Sequence, residues 1–254
     1  MMRIAIAGKG GTGKTTLAAL IVGALKASGM APILAVDADP NDNLGPAIGM
    51  AVTRTLGEIR EDFIDRSPDI PPGMTKGALL EMRMHQSVIE GSGVDLLVMG
   101  RPEGPGCYCF VNNLLRKSIE ELSDNYRVVV IDNEAGMEHL SRKVVGGIDR
   151  LFLVSDHTVK GVRTAIRLRA LADDIGVAVK KAHLVINRVG PDGLSNAVRE
   201  EAERSALGPS TILPEDEDIA RACRDDIPLV GLLETPYGRA VGHLINQAIR
   251  EETT

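Results

Sequence analysis

Near the start of the chain, Gly8-Lys9-Gly10-Gly11-Thr12-Gly13-Lys14-Thr15-Thr16 combines the residue types that phosphate chemistry needs, at a workable spacing. The glycines let the backbone turn tightly and gather several N–H groups in one place. Lys14 adds a mobile charge for the outer phosphates. Thr15 offers a hydroxyl to magnesium, a cation that takes oxygen ligands and keeps waters and phosphate oxygens around it. An alternating stretch, Met2 to Ala7, predicts a strand before the loop, and Leu17 to Leu25 predicts a helix after it. Strand, glycine loop, Lys-Thr and helix together read as a nucleoside triphosphate site, with the helix's positive end adding to the cradle.

Gly8, Gly10 and Gly13 also satisfy G-x-G-x-x-G, and Asp37 lies where a ribose-binding acid would stand, so a dinucleotide fold competes. Lys14-Thr15 decides against it, because a dinucleotide loop asks only for packing at those positions. The reading is therefore a nucleoside triphosphate with Mg2+. Pro32 to Val36 predicts a buried strand that ends in Asp37-Ala38-Asp39-Pro40. Asp39 is the candidate to orient the attacking water and Asp37 the candidate to support the metal region; the alternative is that Asp-Pro only stops the strand and caps a turn. Arg127 to Ile131 predicts a further strand delivering Asp132, which would assist magnesium through water. Gly136 leaves room for backbone near the terminal phosphate, and His139 reads as a structural histidine.

A second unusual stretch, Gly100 to Cys109, follows the predicted strand Val94 to Met99. Its prolines and glycines place Cys107 and Cys109 on a shaped loop ahead of a helix starting near Phe110. Two thiolates this close grip a borderline metal but leave it half coordinated. A two-fold axis near the loop would bring a second pair and make a four-sulfur site, suited to tetrahedral Zn2+ or planar Ni2+. A redox pair or plain packing cysteines is the alternative. Cys223 reads as a buried apolar residue on a helix, and Met74, Met82 and Met84 beside His85 read as adaptable packing surface.

The loop resembles a known group. Lys9 makes the pattern Lys-Gly-Gly-x-Gly-Lys-Thr, similar to the deviant Walker A loop of the MinD, ParA and nitrogenase iron protein ATPases. That resemblance implies that Lys9 reaches across a two-fold dimer to the partner's nucleotide, and that Asp39, in the D-x-D-P element, activates water. Glu103 to Cys109, then Asn112 to Arg116, resembles the cysteine segment of the CooC family, the nickel-insertion accessory ATPases of carbon monoxide dehydrogenase. Asp132 to His139 is similar to that family's next element. The match runs along the whole chain, weakest over 41–93. It implies ATP-driven homodimerisation, Ni2+ held by paired Cys107 and Cys109, and carbon monoxide dehydrogenase as acceptor. Asn187-Arg188 resembles the adenine-contacting element, and Ile212 to Asp216, with Pro214, resembles the loop that walls the base.

The elements that must position these groups follow from patterning. Apolar strands, including Leu151 to Val154 and Ala182 to Ile186 as the last strong one, alternate with helical stretches such as Gly77 to Glu90, Val159 to Ile175 and Tyr237 to Arg250. That order predicts an α/β fold with a mostly parallel sheet and helices on both faces. One domain over residues 1–254 is expected, with no repeat or linker to divide it. Lys and Arg total 29 against 35 Asp and Glu, a net charge of -6, and there is no Trp. This balance argues against nucleic acid as a partner. No stretch nears the roughly 20 apolar residues of a membrane span, and the last helix lacks the clustered lysines of a membrane-surface helix. Three cysteines and no evident leader fit a reducing cytoplasm. Arg163, Arg167 and Arg169 read as surface that could receive an acidic partner. The expected function is an ATP-hydrolysing nickel metallochaperone. The competitors are a positioning ATPase of the MinD/ParA kind, an iron–sulfur carrier or reductase, and last a nicotinamide-dependent oxidoreductase.

Overall fold

The computed structural model describes residues 1–64, 70–100, 108–134, 147–205, 207–208 and 210–250, with the side chains of 60, 63, 64, 108–112 and 115 outside that description. Seven strands form one parallel sheet: β1 (Met2–Gly8), β2 (Ile33–Ala38), β3 (Val94–Val98), β4 (Val128–Asn133), β5 (Ile148–Ser155), β6 (Val179–Val189) and β7 (Thr211–Pro214). Their order is β3-β2-β4-β1-β5-β6-β7, and every pairing is parallel. The strands are mostly apolar because both faces are covered, with polar residues near their ends, among them Arg3, Asp37, Asp132 and Asp149. Alternation then sends successive side chains to opposite layers.

Ile4 and Ile6 pack with α1 (Lys14–Ala27), α2 (Leu44–Ile48), α8 (Glu217–Arg224) and α9 (Pro236–Arg250). Ala5 and Ala7 pack with α3 (Leu56–Ile64), α4 (Lys76–His85), α5 (Tyr108–Leu122), α6 (Val159–Asp174) and α7 (Asn196–Glu203). The best-buried helix is α1, whose Leu17, Leu20, Ile21 and Leu25 are all inaccessible to solvent. Each such side chain contributes about 1.5–3 kcal/mol of burial. Its end is set by Gly29 in the left-handed region at φ 72°, one residue past the C-cap Ser28, as Ser28-Gly29 implied.

Differences from the sequence reading concentrate in three places. Ala182 to Ile186, read as the last strong strand, is the middle of the longer β6, and β7 adds a short edge strand beyond it. The described residues of 41–93 hold three short helices, and α4 stops at His85 instead of Glu90 because Ile89 leaves to bridge Leu96 in antiparallel fashion. Arg163 already has an acidic partner inside the chain: its guanidinium grips Glu201 on α7 through two bonds of 3.0 and 2.9 Å. Arg169 is partly covered and bonds Asp173.

Candidate functional site

Parallel strands put their carboxyl ends along one edge, and ligands bind in the crevice outside that edge. Here the edge gathers Gly8, Ala38, Asn133, Val189 and Pro214. Gly8 has to be glycine, because a Cβ there would sit 2.3 Å from the Val154 carbonyl of β5. The loop leaves β1 and re-enters as α1 through Gly13, which caps the helix at φ 90° without a side-chain partner. Thr12 closes the turn by donating its hydroxyl to the Lys9 carbonyl at 2.8 Å. Lys14 is buried and donates to the same carbonyl at 3.4 Å. The first N–H groups of a helix have no partner within it, so Lys14, Thr15 and Thr16 present donors to the crevice. Lys9 itself is exposed.

A cavity of about 400 Å³ opens there, lined by Gly10, Gly11, Gly13, Lys14, Thr15, Thr16, Asp39, Asn41, Asn43, Glu134 and Arg188. Lys14, Thr15, Asp39 and Arg188, brought in from well-separated stretches of sequence, meet at this one wall. Asp39 is half-buried, and its Oδ1 accepts both the backbone N–H and the side-chain N–H of Asn41, at 2.9 and 2.7 Å. Asn43 and Glu134 were not singled out individually by sequence reasoning; Glu134 lies within the Asp132 to His139 segment, directly after β4, and Asn43 lies five residues past the end of β2.

Two buried carboxylates lie behind the loop. Asp37 and Asp132 are register partners on β2 and β4. Asp37 is fully buried, accepting N–H groups from Asp39 at 3.0 Å and Leu44 at 2.8 Å. Its observed part is thus to shape the turn that carries Asp39. Burial first, and then the Asp132 charge, push its carboxyl up to about 8, although the two N–H groups pull the other way. Asp132 is also buried, and neither of its oxygens has a partner in hydrogen-bonding geometry. Burial raises it to about 6 against the pull of the Thr15 hydroxyl and the Lys14 ammonium. Buried polar atoms without partners are costly. Two orphaned carboxylate oxygens beside a threonine hydroxyl and a phosphate-shaped loop fit magnesium, which needs only one or two protein ligands when phosphates and waters supply the rest.

The far end of the crevice is built by an irregularity in the sheet. The β6–β7 register shifts between Ile186 and Val189, and Arg188 sits in the left-handed region at φ 55°. Bulges of this kind re-aim side chains beside sites. Asn187 turns under the loop and donates its amide to the Thr12 carbonyl at 2.8 Å, while Arg188 donates to the Gly11 carbonyl at 3.3 Å. A Cβ on Gly13 would lie 2.3 Å from the Asn187 amide nitrogen. Beyond them a cavity of about 610 Å³ is walled by Thr16, Asn187, Arg188, Pro214, Asp216, Cys223 and Tyr237, among others. Asp216 holds that wall together, capping α8 through Asp218 and Ile219 and accepting the Tyr237 N–H at 3.0 Å. Thr16 and Arg188 line both cavities. The phosphate end and this wider end therefore adjoin.

A profile of the CobQ/CobB/MinD/ParA nucleotide-binding domain matches residues 4–229. The chain belongs to this family. Being a CobQ/CobB/MinD/ParA protein with an intact phosphate loop, it is a P-loop ATPase. An ATP-binding protein of Methanocaldococcus jannaschii is 41% identical over 236 residues, spanning 92% of both chains. The carbon monoxide dehydrogenase accessory protein CooC of Rhodospirillum rubrum is 29% identical over 258 residues, covering 88% of this chain and 92% of that one. The fold is shared with the septum site-determining protein MinD of Pyrococcus horikoshii in its Mg-ADP complex, at a TM-score of 0.68 and 21% identity over 97% of this chain and 96% of that one.

Several sequence expectations fall elsewhere. Cys107, Gly136 and His139 lie outside the described residues, as does the side chain of Cys109. Among the described residues, no cluster of three or more His, Cys, Asp or Glu side chains is arranged to hold a metal ion. Cys223 is a correction: it is exposed, not buried. On α8 the buried positions are Ile219 and Ala222; Cys223 lies about 100° round the helix from Ala222 and about 40° from Ile219, at the edge of the buried face, where it lines the wider cavity. No described helix is long and apolar enough to cross a membrane.

Proposed function

We propose that this ATPase is a metallochaperone that loads nickel at Cys107 and Cys109 and delivers it for insertion into carbon monoxide dehydrogenase. The observation that carries this reading is the Glu103 to Cys109 segment, with its Cys-x-Cys pair, in a chain whose likeness to the CooC accessory protein extends over nearly its whole length. Nickel here is cargo. Nucleotide occupies the crevice with its phosphates on Gly10 to Thr16 and its base in the wider cavity between Asn187, Pro214 and Tyr237. Thr15 and Asp132 would hold magnesium, which would offset charge on the phosphate oxygens.

The protein's own groups then divide the work. Lys14 leaves the Lys9 carbonyl, a long and weak bond at 3.4 Å, and moves onto the outer phosphates. Asp39, oriented by Asn41, positions the attacking water. Lys9, exposed at the mouth of the loop, crosses to the nucleotide of a second copy. Two copies closed on their phosphate edges bring two Cys107/Cys109 pairs together, so nucleotide state sets the sulfur spacing and the grip on nickel. A positioning ATPase is the competing reading, and it would need a surface to bind. The apolar face of α9, with Val241, Leu244, Ile245 and Ala248, is already buried against the sheet.

The test is nickel binding by equilibrium dialysis with and without Mg-ATP. Parent protein is expected to bind the ion and Cys107→Ser, Cys109→Ser to lose it. Equal binding by both would end the metallochaperone reading, and ATP-dependent cosedimentation with lipid vesicles would favour the positioning one.

A further inference from the structure

Cys223 has no part in that cycle, yet it stands at the nucleotide crevice. It is exposed on α8 and lines the wider cavity. Its Sγ lies 3.7 Å from the Thr16 hydroxyl, in the first turn of α1 directly behind the phosphate loop. Across the same cavity, Tyr237 is only 2% exposed, and its hydroxyl has no partner in hydrogen-bonding geometry. The Asn187 amide beside it also donates to the Thr12 carbonyl. A buried hydroxyl without a partner is a cost that a bound ligand can relieve. So the thiol borders a space that is itself built to be filled.

We propose that Cys223 is a thiol-modification site at which attachment of a small thiol and binding of nucleotide exclude one another. The inference rests on the reading that this cavity takes the nucleotide's base. The co-reactant is a low-molecular-weight disulfide. The Cys223 thiolate attacks one of its sulfurs, a new S–S bond forms, and the old one breaks. The departing half leaves as a thiolate with the bonding electron pair and takes up a proton. Cys223 is thereby oxidised to the disulfide level and the departing sulfur reduced, and any free thiol reverses the exchange. A tripeptide-sized adduct on Sγ projects between Pro214 and Tyr237 and crowds Thr16, so it competes with base and phosphates together. Bound nucleotide, in turn, covers the sulfur and blocks the attacking reagent. The consequence is an ATPase that falls silent under disulfide stress and recovers on reduction, controlled at a position separate from Cys107 and Cys109.

The experiment follows alkylation of Cys223 by N-ethylmaleimide, quantified on its own peptide by mass spectrometry, with and without saturating Mg-ADP. Calorimetry measures Mg-ADP affinity in parent and Cys223→Ser, before and after oxidised glutathione and again after dithiothreitol. Nucleotide should slow alkylation by more than about tenfold, and glutathionylation should weaken Mg-ADP binding by a similar factor. Reduction should restore affinity in the parent, and in Cys223→Ser the glutathione treatment should change nothing at this site. A thiol that alkylates at one rate whether or not calorimetry shows Mg-ADP bound overturns the inference and spares the nucleotide site. A thiol that does not react in the folded protein overturns it too. Failure of the untreated parent to bind Mg-ADP would overturn both this inference and the nucleotide reading beneath it.

Discussion

Asp132→Asn should make the nucleotide-free protein more stable and, at the same time, remove most of what magnesium adds. Burial lifts this carboxyl from its ordinary 3.8 to about 6, so above that pH the folded state carries an ionised group it would rather not hold. A tenfold change in proton affinity is worth about 1.4 kcal/mol, which sets the cost of ionising Asp132 at pH 8 to about 3 kcal/mol as an upper bound. Asn has almost the same shape, and because neither Asp132 oxygen has a partner in hydrogen-bonding geometry, little bonding is lost with the charge. The repulsion that Asp132 exerts on Asp37 disappears as well. For a chain of this size a gain of about 2–3 kcal/mol raises Tm by ~4–12 °C. In the parent, saturating Mg-ADP at a hundredfold over Kd adds about 2.7 kcal/mol, and Asn should forfeit most of the magnesium-dependent part. Thermal unfolding at pH 8, with EDTA or with Mg-ADP, reads both effects. A variant less stable than the parent in EDTA would refute the reasoning, and so would an undiminished response to magnesium.

Three further outcomes follow from the same geometry. Both Asp37 and Asp132 have folded values above their unfolded ones, so their stabilising contribution is complete below pH ~4 and is lost as pH rises toward about 8; the Tm difference between Asp132→Asn and parent should therefore widen over that range in EDTA and narrow with Mg-ADP. Gly13→Ala puts a Cβ at 2.3 Å from the Asn187 amide in a residue at φ 90° and should cost ~2–4 kcal/mol, from left-handed strain and the lost Thr12 bond; adding Asn187→Ala should cost less than the sum of the single changes by denaturant unfolding, and strict additivity would contradict the contact. Lys14→Ala should lower ATP turnover by more than about a hundredfold in a phosphate-release assay, with retained turnover counting against the assigned site.

What could be read before the structure, and what could not, divides along physical lines. The phosphate loop was legible because its glycines answer to local constraints: Gly8 to the β5 carbonyl and Gly13 to Asn187, each visible in the spacing even when the neighbour is not. The central strands were legible because two covered faces leave them mostly apolar, with the charged residues confined to positions near their ends, such as Arg3, Asp37 and Asp132. β7 was not, since four residues ending in Pro214 carry no periodicity and depend on pairing with β6. The bulge at Asn187 and Arg188 was equally hidden; the resemblance implies Asn187 as a base contact, and the structure adds that its amide donates to the Thr12 carbonyl under the loop. Cys223 was misread because composition favours buried cysteines, whereas its place at the edge of the α8 buried face, bordering the wider cavity, leaves it exposed. Tyr237 gave notice only as the start of a helix, and its place in the cavity wall comes from Asp216, distant in sequence.

The central claim is that nucleotide state and nickel capture share one dimer. Size-exclusion chromatography with metal analysis of each peak, run with nickel alone, with Mg-ADP and with Mg-ATP, tests it most directly. The account predicts a Mg-ATP-dependent dimer carrying one nickel ion per two chains, and neither ion nor nickel-linked dimer in Cys107→Ser, Cys109→Ser. Nickel that elutes with a monomer in equal amount under every nucleotide condition would contradict it.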